Sequence, residues 1–158
     1  MVGQIERGES SPTIATLWKI AKGLHLPLSV FLEDLPETSS GDGAPRPVTR
    51  QFPDVLNVRT LFPFDPAFRS ETFLITLAPG QTHLSQAHDA GVVEDVLVAA
   101  GDVSVLVGEV WQSCQVGDAI RLRADRPHGY RNLTSEPAQF HNVIHYPDAV
   151  LASAERQV

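Results

Sequence analysis

Two histidines and a glutamate stand where strand-like runs meet polar turns. His88 is followed six residues on by Glu94, with Gly101 beyond it; Gly117 is followed eleven residues on by His128, with Asn132 beyond that. Histidine titrates near neutral pH and can donate or accept a hydrogen bond, so it suits a polar or anionic partner. His88, Glu94 and His128 converging among valines and leucines would have the make-up of a small-molecule site, an apolar concavity with a few placed polar groups. Two hairpin-like segments with little helix potential between them predict a small β-barrel whose histidines share one cavity.

The elements that must position these residues lie in Gln51–Pro147. VLNVRTLF, ETFLITLA, VEDVLVAA, DVSVLVG, AIRLRA and FHNVIHY are short runs rich in Val, Ile, Leu and Phe, separated by turn signals such as Pro79-Gly80, Gly101-Asp102 and Gly117-Asp118. Regular spacing of this kind predicts a mainly β fold, a sandwich or jelly roll. His83, Asp89 and Asp95 lie close by in sequence and are expected in loops or facing solvent. His141 and His145 alternate with Phe140 and Ile144 on the last strand, and nothing else marks them. Arg121 and Arg123 share one strand face opposite Ile120 and Leu122, expected as a solvated outer face; Arg126 or Arg131 at a barrel rim could meet a carboxylate. Cys114 is the only cysteine, which excludes an intramolecular disulfide and reads as a small hydrophobe in a strand. No nucleophile elbow and no Gly-rich phosphate loop is present.

The first thirty-odd residues read as short helices, each with one apolar face. Ser11-Pro12 predicts a helix start, with Ser11 as N-cap and Pro12 in the first helical position. Ile14, Leu17, Ile20, Ala21 and Leu24 follow at helical spacing, Gly23 closes the segment, and Pro27 opens another short helix. Residues 36–50, rich in Pro, Gly and Ser, read as a flexible linker, and 148–158 as a tail. The formal charge is −7, and the first fifty residues are close to neutral, so the acidity belongs to the second part. Such a chain is unsuited to coating nucleic acid broadly. No run approaches a membrane helix and no signal peptide is visible, so the expectation is a cytoplasmic protein without a membrane partner.

The N-terminal series Gln4-Ile5-Glu6-Arg7-Gly8-Glu9, Ser11-Pro12-Thr13, Leu17-Trp18-Lys19-Ile20-Ala21-Lys22-Gly23-Leu24, Pro27-Leu28-Ser29 and Phe31-Leu32 resembles the later helices of the XRE-family helix-turn-helix, the lambda-repressor-like fold. That resemblance implies DNA as a partner, with the base-reading part of the recognition helix largely outside this chain and Gln4 and Arg7 left as candidate DNA contacts. Gln51–Pro147 resembles the cupin family, the single double-stranded β-helix domains fused to XRE-type heads. His88, Glu94 and Gly101 match its first motif; Gly117, His128 and Asn132 match its second, with Arg123 and Asp125 where Pro and Gly are usual. The family's metal ligands would be His88, a histidine where this chain has Ala90, Glu94 and His128. Two histidines and a carboxylate form a recognised facial set, so a divalent metal stays open as a cofactor, with none required. The resemblance implies a partial helix-turn-helix domain at 1–35 and a cupin domain at 51–147. It also implies a homodimeric, non-enzymatic transcriptional regulator that binds a small-molecule effector at His88, Glu94 and His128. The alternative is a metal-dependent cupin enzyme, an oxygenase or isomerase, using the same trio.

Overall fold

The computed structural model describes residues 12–32, 49–51 and 56–148; the candidate contacts Gln4 and Arg7, most of the expected linker and the tail lie outside them. Among the described residues ten strands follow one helix, α1 (Ile14–Leu24), and a short 3-10 turn (Leu28–Phe31). The strands are β1 (Thr49–Gln51), β2 (Leu56–Asp65), β3 (Ser70–Leu77), β4 (Thr82–Ser85), β5 (Val93–Ala100), β6 (Val103–Val107), β7 (Val110–Cys114), β8 (Ala119–Arg123), β9 (His128–Arg131) and β10 (Ala138–His145). One sheet runs β1-β2-β3-β10-β5-β8 and the other β4-β9-β6-β7, with antiparallel pairing throughout the described residues. The fold is mainly β, two facing antiparallel sheets of the jelly-roll kind expected from the run spacing, with β1 drawing Thr49 and Arg50 from the expected linker into the sheet edge.

Alternation builds the barrel wall. Along β3 and β10 every second residue is buried, as the two-residue period of a strand requires. The register sets Leu77, Ile75 and Phe73 beside Ala138, Phe140 and Asn142. Facing them from the smaller sheet are Val103, Val105 and Tyr130, all buried. Burying side chains of this size contributes roughly 1.5–3 kcal/mol each as an upper bound. One inward row breaks the apolar pattern: Glu71 on β3 pairs with Ile144 on β10, and Ile144 pairs with Glu94 on β5. Two carboxylates therefore flank one isoleucine inside the barrel. Gly101, which joins β5 to β6, has φ +68°, and a Cβ there would come within 3.0 Å of Ala138; both the backbone and the space call for glycine.

The helix start differs from the expected one. Thr13, two residues later than Ser11, is the N-cap, its side chain accepting from the Thr16 amide at 3.2 Å, so Pro12 precedes the helix. Gly23 does not end it either. His25 takes the left-handed conformation, its amide donating to Lys22 O and the Leu26 amide to Ala21 O, a Schellman closure two residues beyond the glycine. The shift lets Ile14, Leu17 and Ala21 form one buried stripe, and that stripe lies against the barrel.

Glu71 holds this head in place. Its carboxylate accepts from the Leu28 amide at 3.0 Å and the Ser29 amide at 2.8 Å, the first two residues of the 3-10 turn, and from the Tyr146 hydroxyl at 2.5 Å. These amides open a helical turn and have no partner within it. Ser29 Oγ in return accepts from the Phe64 amide at 3.0 Å.

Candidate functional site

Glu94 points into the barrel from β5 and is 1% exposed. His128 opens β9 on the opposite sheet, and His88 sits in the β4–β5 loop, its amide tied to Ala124 O at 2.9 Å. The three side chains, expected together from their spacing, converge: one ligand atom of each lies within 4.8 Å of the others. His88 Nε2 is 2.9 Å from Glu94 Oε1, and His128 Nε2 is 3.4 Å from the same oxygen. The second contact is too long for a well-formed charge-assisted hydrogen bond. Glu94 Oε2 accepts from the Tyr130 hydroxyl and, at 3.1 Å, from Asn142 Nδ2.

The electrostatics follow from that crowding. Burial alone would push Glu94 up, but the electrostatic pull of the neighbouring His128 and the hydrogen bond with His88 outweigh it and hold the carboxyl well below its ordinary range. Burial alone would push His128 down; the Glu94 charge reverses this and raises it. His128 Nδ1 donates to Arg126 O at 2.8 Å, which fixes its proton there and aims Nε2 at the carboxylate. Burial, then the Glu94 charge, pushes the Tyr130 hydroxyl well up, so it stays a donor.

The interior cavity beside this cluster is small, about 20 Å³, roughly the room for a single water. Phe73, Ile75 and Ile144 wall it, Tyr130 and Asn142 offer polar atoms, and Ile14, Trp18 and Leu28 close it from the head. Two buried polar atoms facing the cluster, His128 Nε2 and Asn142 Oδ1, have no hydrogen-bond partner among the described residues. A divalent ion fits the donor set: the unpartnered Nε2 is oriented by a carbonyl behind it, the usual support for a ligating histidine.

Trp18 on α1 stacks on the His88 ring at 3.8 Å between centroids and 21° between planes. Lys22 Nζ, one turn on, donates to Ala87 O at 2.9 Å and His88 O at 3.2 Å. The head thus grips the loop that carries His88.

His83 departs from expectation. It lies on β4, not in a loop, and is buried, with Nε2 3.1 Å from Ser85 Oγ; the pairing of β4 with β9 draws this polar stretch into the smaller sheet. It is not part of the metal-ligand cluster. Asp95 and Asp89 remain outside the site: Asp95 binds Arg121 and His145 on the outer face, and Asp89 is 3.5 Å from His25. Arg131 does not line the rim but stacks over Trp111 at 4.2 Å. Cys114 is buried, which pushes its thiol up, in keeping with a packing role.

Tyr130, Asn142, Trp18 and Glu71 were not among the expected site residues. Tyr130 and Asn142 had a local signal. Tyr130 is two residues from His128 on a strand and so shares its face, and Asn142 is the amide within the inward set of β10. Gly129, between His128 and Tyr130, matters by closeness: a Cβ there would lie 2.6 Å from His83 O. Gly129→Ala should separate β9 from β4 and destabilise the protein by about 1–3 kcal/mol; an unchanged melting temperature would show that the two strands tolerate a wider spacing.

Family models match in two places: a helix-turn-helix over residues 1–31 and a cupin domain over residues 73–144. The chain is 42% identical to the HTH-type transcriptional regulator SutR of Escherichia coli K12, over 93% of this chain and 79% of that protein. A crystal structure of an HTH_3 family transcriptional regulator from Vibrio cholerae superposes with a TM-score of 0.78 at 44% identity, covering 93% of this chain and 79% of that one. The cupin domain of an XRE family transcriptional regulator from Enterobacter cloacae matches with a TM-score of 0.58 at 39% identity, covering 59% of this chain and 98% of that one.

Proposed function

Because this chain belongs to the XRE-type helix-turn-helix transcriptional regulators that carry a cupin domain, we propose that its barrel is a small-molecule sensor which acts on the DNA-binding head through α1. One observation carries this reading: Trp18, within the matched helix-turn-helix segment, is stacked on His88 of the barrel cluster. A molecule that engages His88, Glu94 or His128 must either leave that stack intact or break it. The two cases place the head differently, which supplies the differential contact that coupling between two sites requires.

His88, Glu94 and His128 supply the polar contacts, and Tyr130 and Asn142 orient the carboxylate. The effector-free protein is a cytoplasmic homodimer in this reading, presenting two heads to symmetric half-sites. The barrel does no chemistry on its ligand. If a divalent ion is resident, His88, Glu94 and His128 hold it, and it supplies a Lewis-acid anchor for an oxygen of the effector.

A thermal-shift screen of small metabolites and divalent metals tests the reading, run on the wild type and on His128→Ala. A ligand at a hundred times its Kd should stabilise the wild type by about 2.7 kcal/mol, and His128→Ala should lose that gain. A screen in which nothing separates the two proteins would remove the sensor. The unpartnered His128 Nε2 also favours a second reading, a metal-dependent cupin enzyme on the same trio. Stoichiometric metal in the purified protein, lost in His128→Ala and accompanied by turnover of a screened compound, would establish that instead.

A further inference from the structure

A second concavity opens between α1 and β4, with a volume of about 160 Å³. An engineered cavity of about 150 Å³ holds a benzene molecule, so the space suits a small organic body. Lys19 and Lys22 line it from the head and His83, Ser85 and Gln86 from the barrel; among the described residues no carboxylate lines it. In a chain of net charge −7 that is a local reversal of sign, and walls of low dielectric focus such a field on an entering anion. Lys22 has two of its three N–H groups on carbonyls, leaving one to donate. Trp18, His83 and Ser85 line this groove and the small interior cavity alike, so the indole is the partition between them. The groove beside His128 also carries arginines, but Arg121 and Arg123 there are already held by Asp95 and Asp125.

Building on the sensor reading above, we propose that the α1–β4 groove is the effector's entry site and takes a small carboxylate with an apolar body. Its charged end stays with Lys19 and Lys22. Inside, the Glu94 carboxylate repels that end, whereas Phe73, Ile75 and Ile144 offer apolar wall. The apolar body is therefore directed inward, against the indole, and displaces Trp18 from His88. Since Trp18 and both lysines belong to α1, the head reads the ligand directly.

The experiment uses the full chain carrying Trp111→Phe, which leaves Trp18 as the single indole of the two in the sequence. Benzoate is the probe and benzyl alcohol its neutral counterpart, followed by Trp18 fluorescence. Benzoate should give a saturable change that weakens about tenfold in Lys19→Gln, the scale of one charged contact, and weakens further with added salt; benzyl alcohol should give none. Among the described residues Lys19 makes no bond to the barrel, so its loss leaves the docking of the head intact; Lys22→Gln is the second variant. Equal affinity of Lys19→Gln, Lys22→Gln and the parent for benzoate, or no benzoate response at all, overturns the groove while leaving the His128-dependent screen to judge the sensor. Lysine-dependent benzoate binding in a protein whose screen shows no His128-dependent ligand keeps the groove and removes the interior site.

Discussion

Glu94→Ala is expected to destabilise the barrel by about 3–5 kcal/mol, the cost of removing one partner from a buried charged cluster. The reason is the number of groups that depend on it. His88, His128, the Tyr130 hydroxyl and the Asn142 amide all converge on its two oxygens, and alanine leaves their polar atoms facing a void. For a domain of this size each kcal/mol shifts the melting temperature by about 4–8 °C, so the loss should be plain in a thermal melt. Glu94→Gln keeps the shape and one acceptor and should lose less. A variant Glu94→Ala that melts within a few degrees of the wild type would mean the cluster is not organised around the carboxylate.

Glu71→Ala should act on the head and leave the barrel standing. Two backbone amides of the 3-10 turn and the Tyr146 hydroxyl lose their acceptor, and hydrogen bonds to a charged group are worth about 1.5–3 kcal/mol each. The expected result is a red-shifted Trp18 emission and new protease cleavage within residues 12–32, at near-native circular dichroism from the strands. Unchanged Trp18 emission would show that the apolar stripe of α1 docks without the clamp. A pH series adds a sign. Burial outweighs the bonds from Tyr146, Ser29 and Leu28, so the Glu71 carboxyl lies above its ordinary range. The folded state therefore binds the proton more tightly, and this contribution is present at low pH and lost as pH rises through the raised value. Glu71→Gln should abolish that slope.

Much of the barrel was legible because its signals are local. ETFLITL and AQFHNVIH alternate, and alternation is what a half-buried strand looks like. Gly101 and Gly117 marked turns that do adopt positive φ. β4 and β9 were not legible as strands. THLS and HGYR are four residues each and largely polar; they are strands because each completes the other's hydrogen bonding. Asn142 and Tyr130 escaped notice for a different reason. Neither residue type marks a site by itself, and the unmarked His141 and His145 alternate to the other face from Asn142.

By itself the sequence determined the strand runs and their turns, since period and glycine act over a few neighbouring residues, and its motif spacing marked His88, Glu94 and His128. Only the tertiary structure decided that the head closes the barrel: Trp18 meets His88, and Leu28 and Ser29 meet Glu71, across more than forty residues of chain. Complementarity between two surfaces depends on both at once, and no pattern within either segment encodes it.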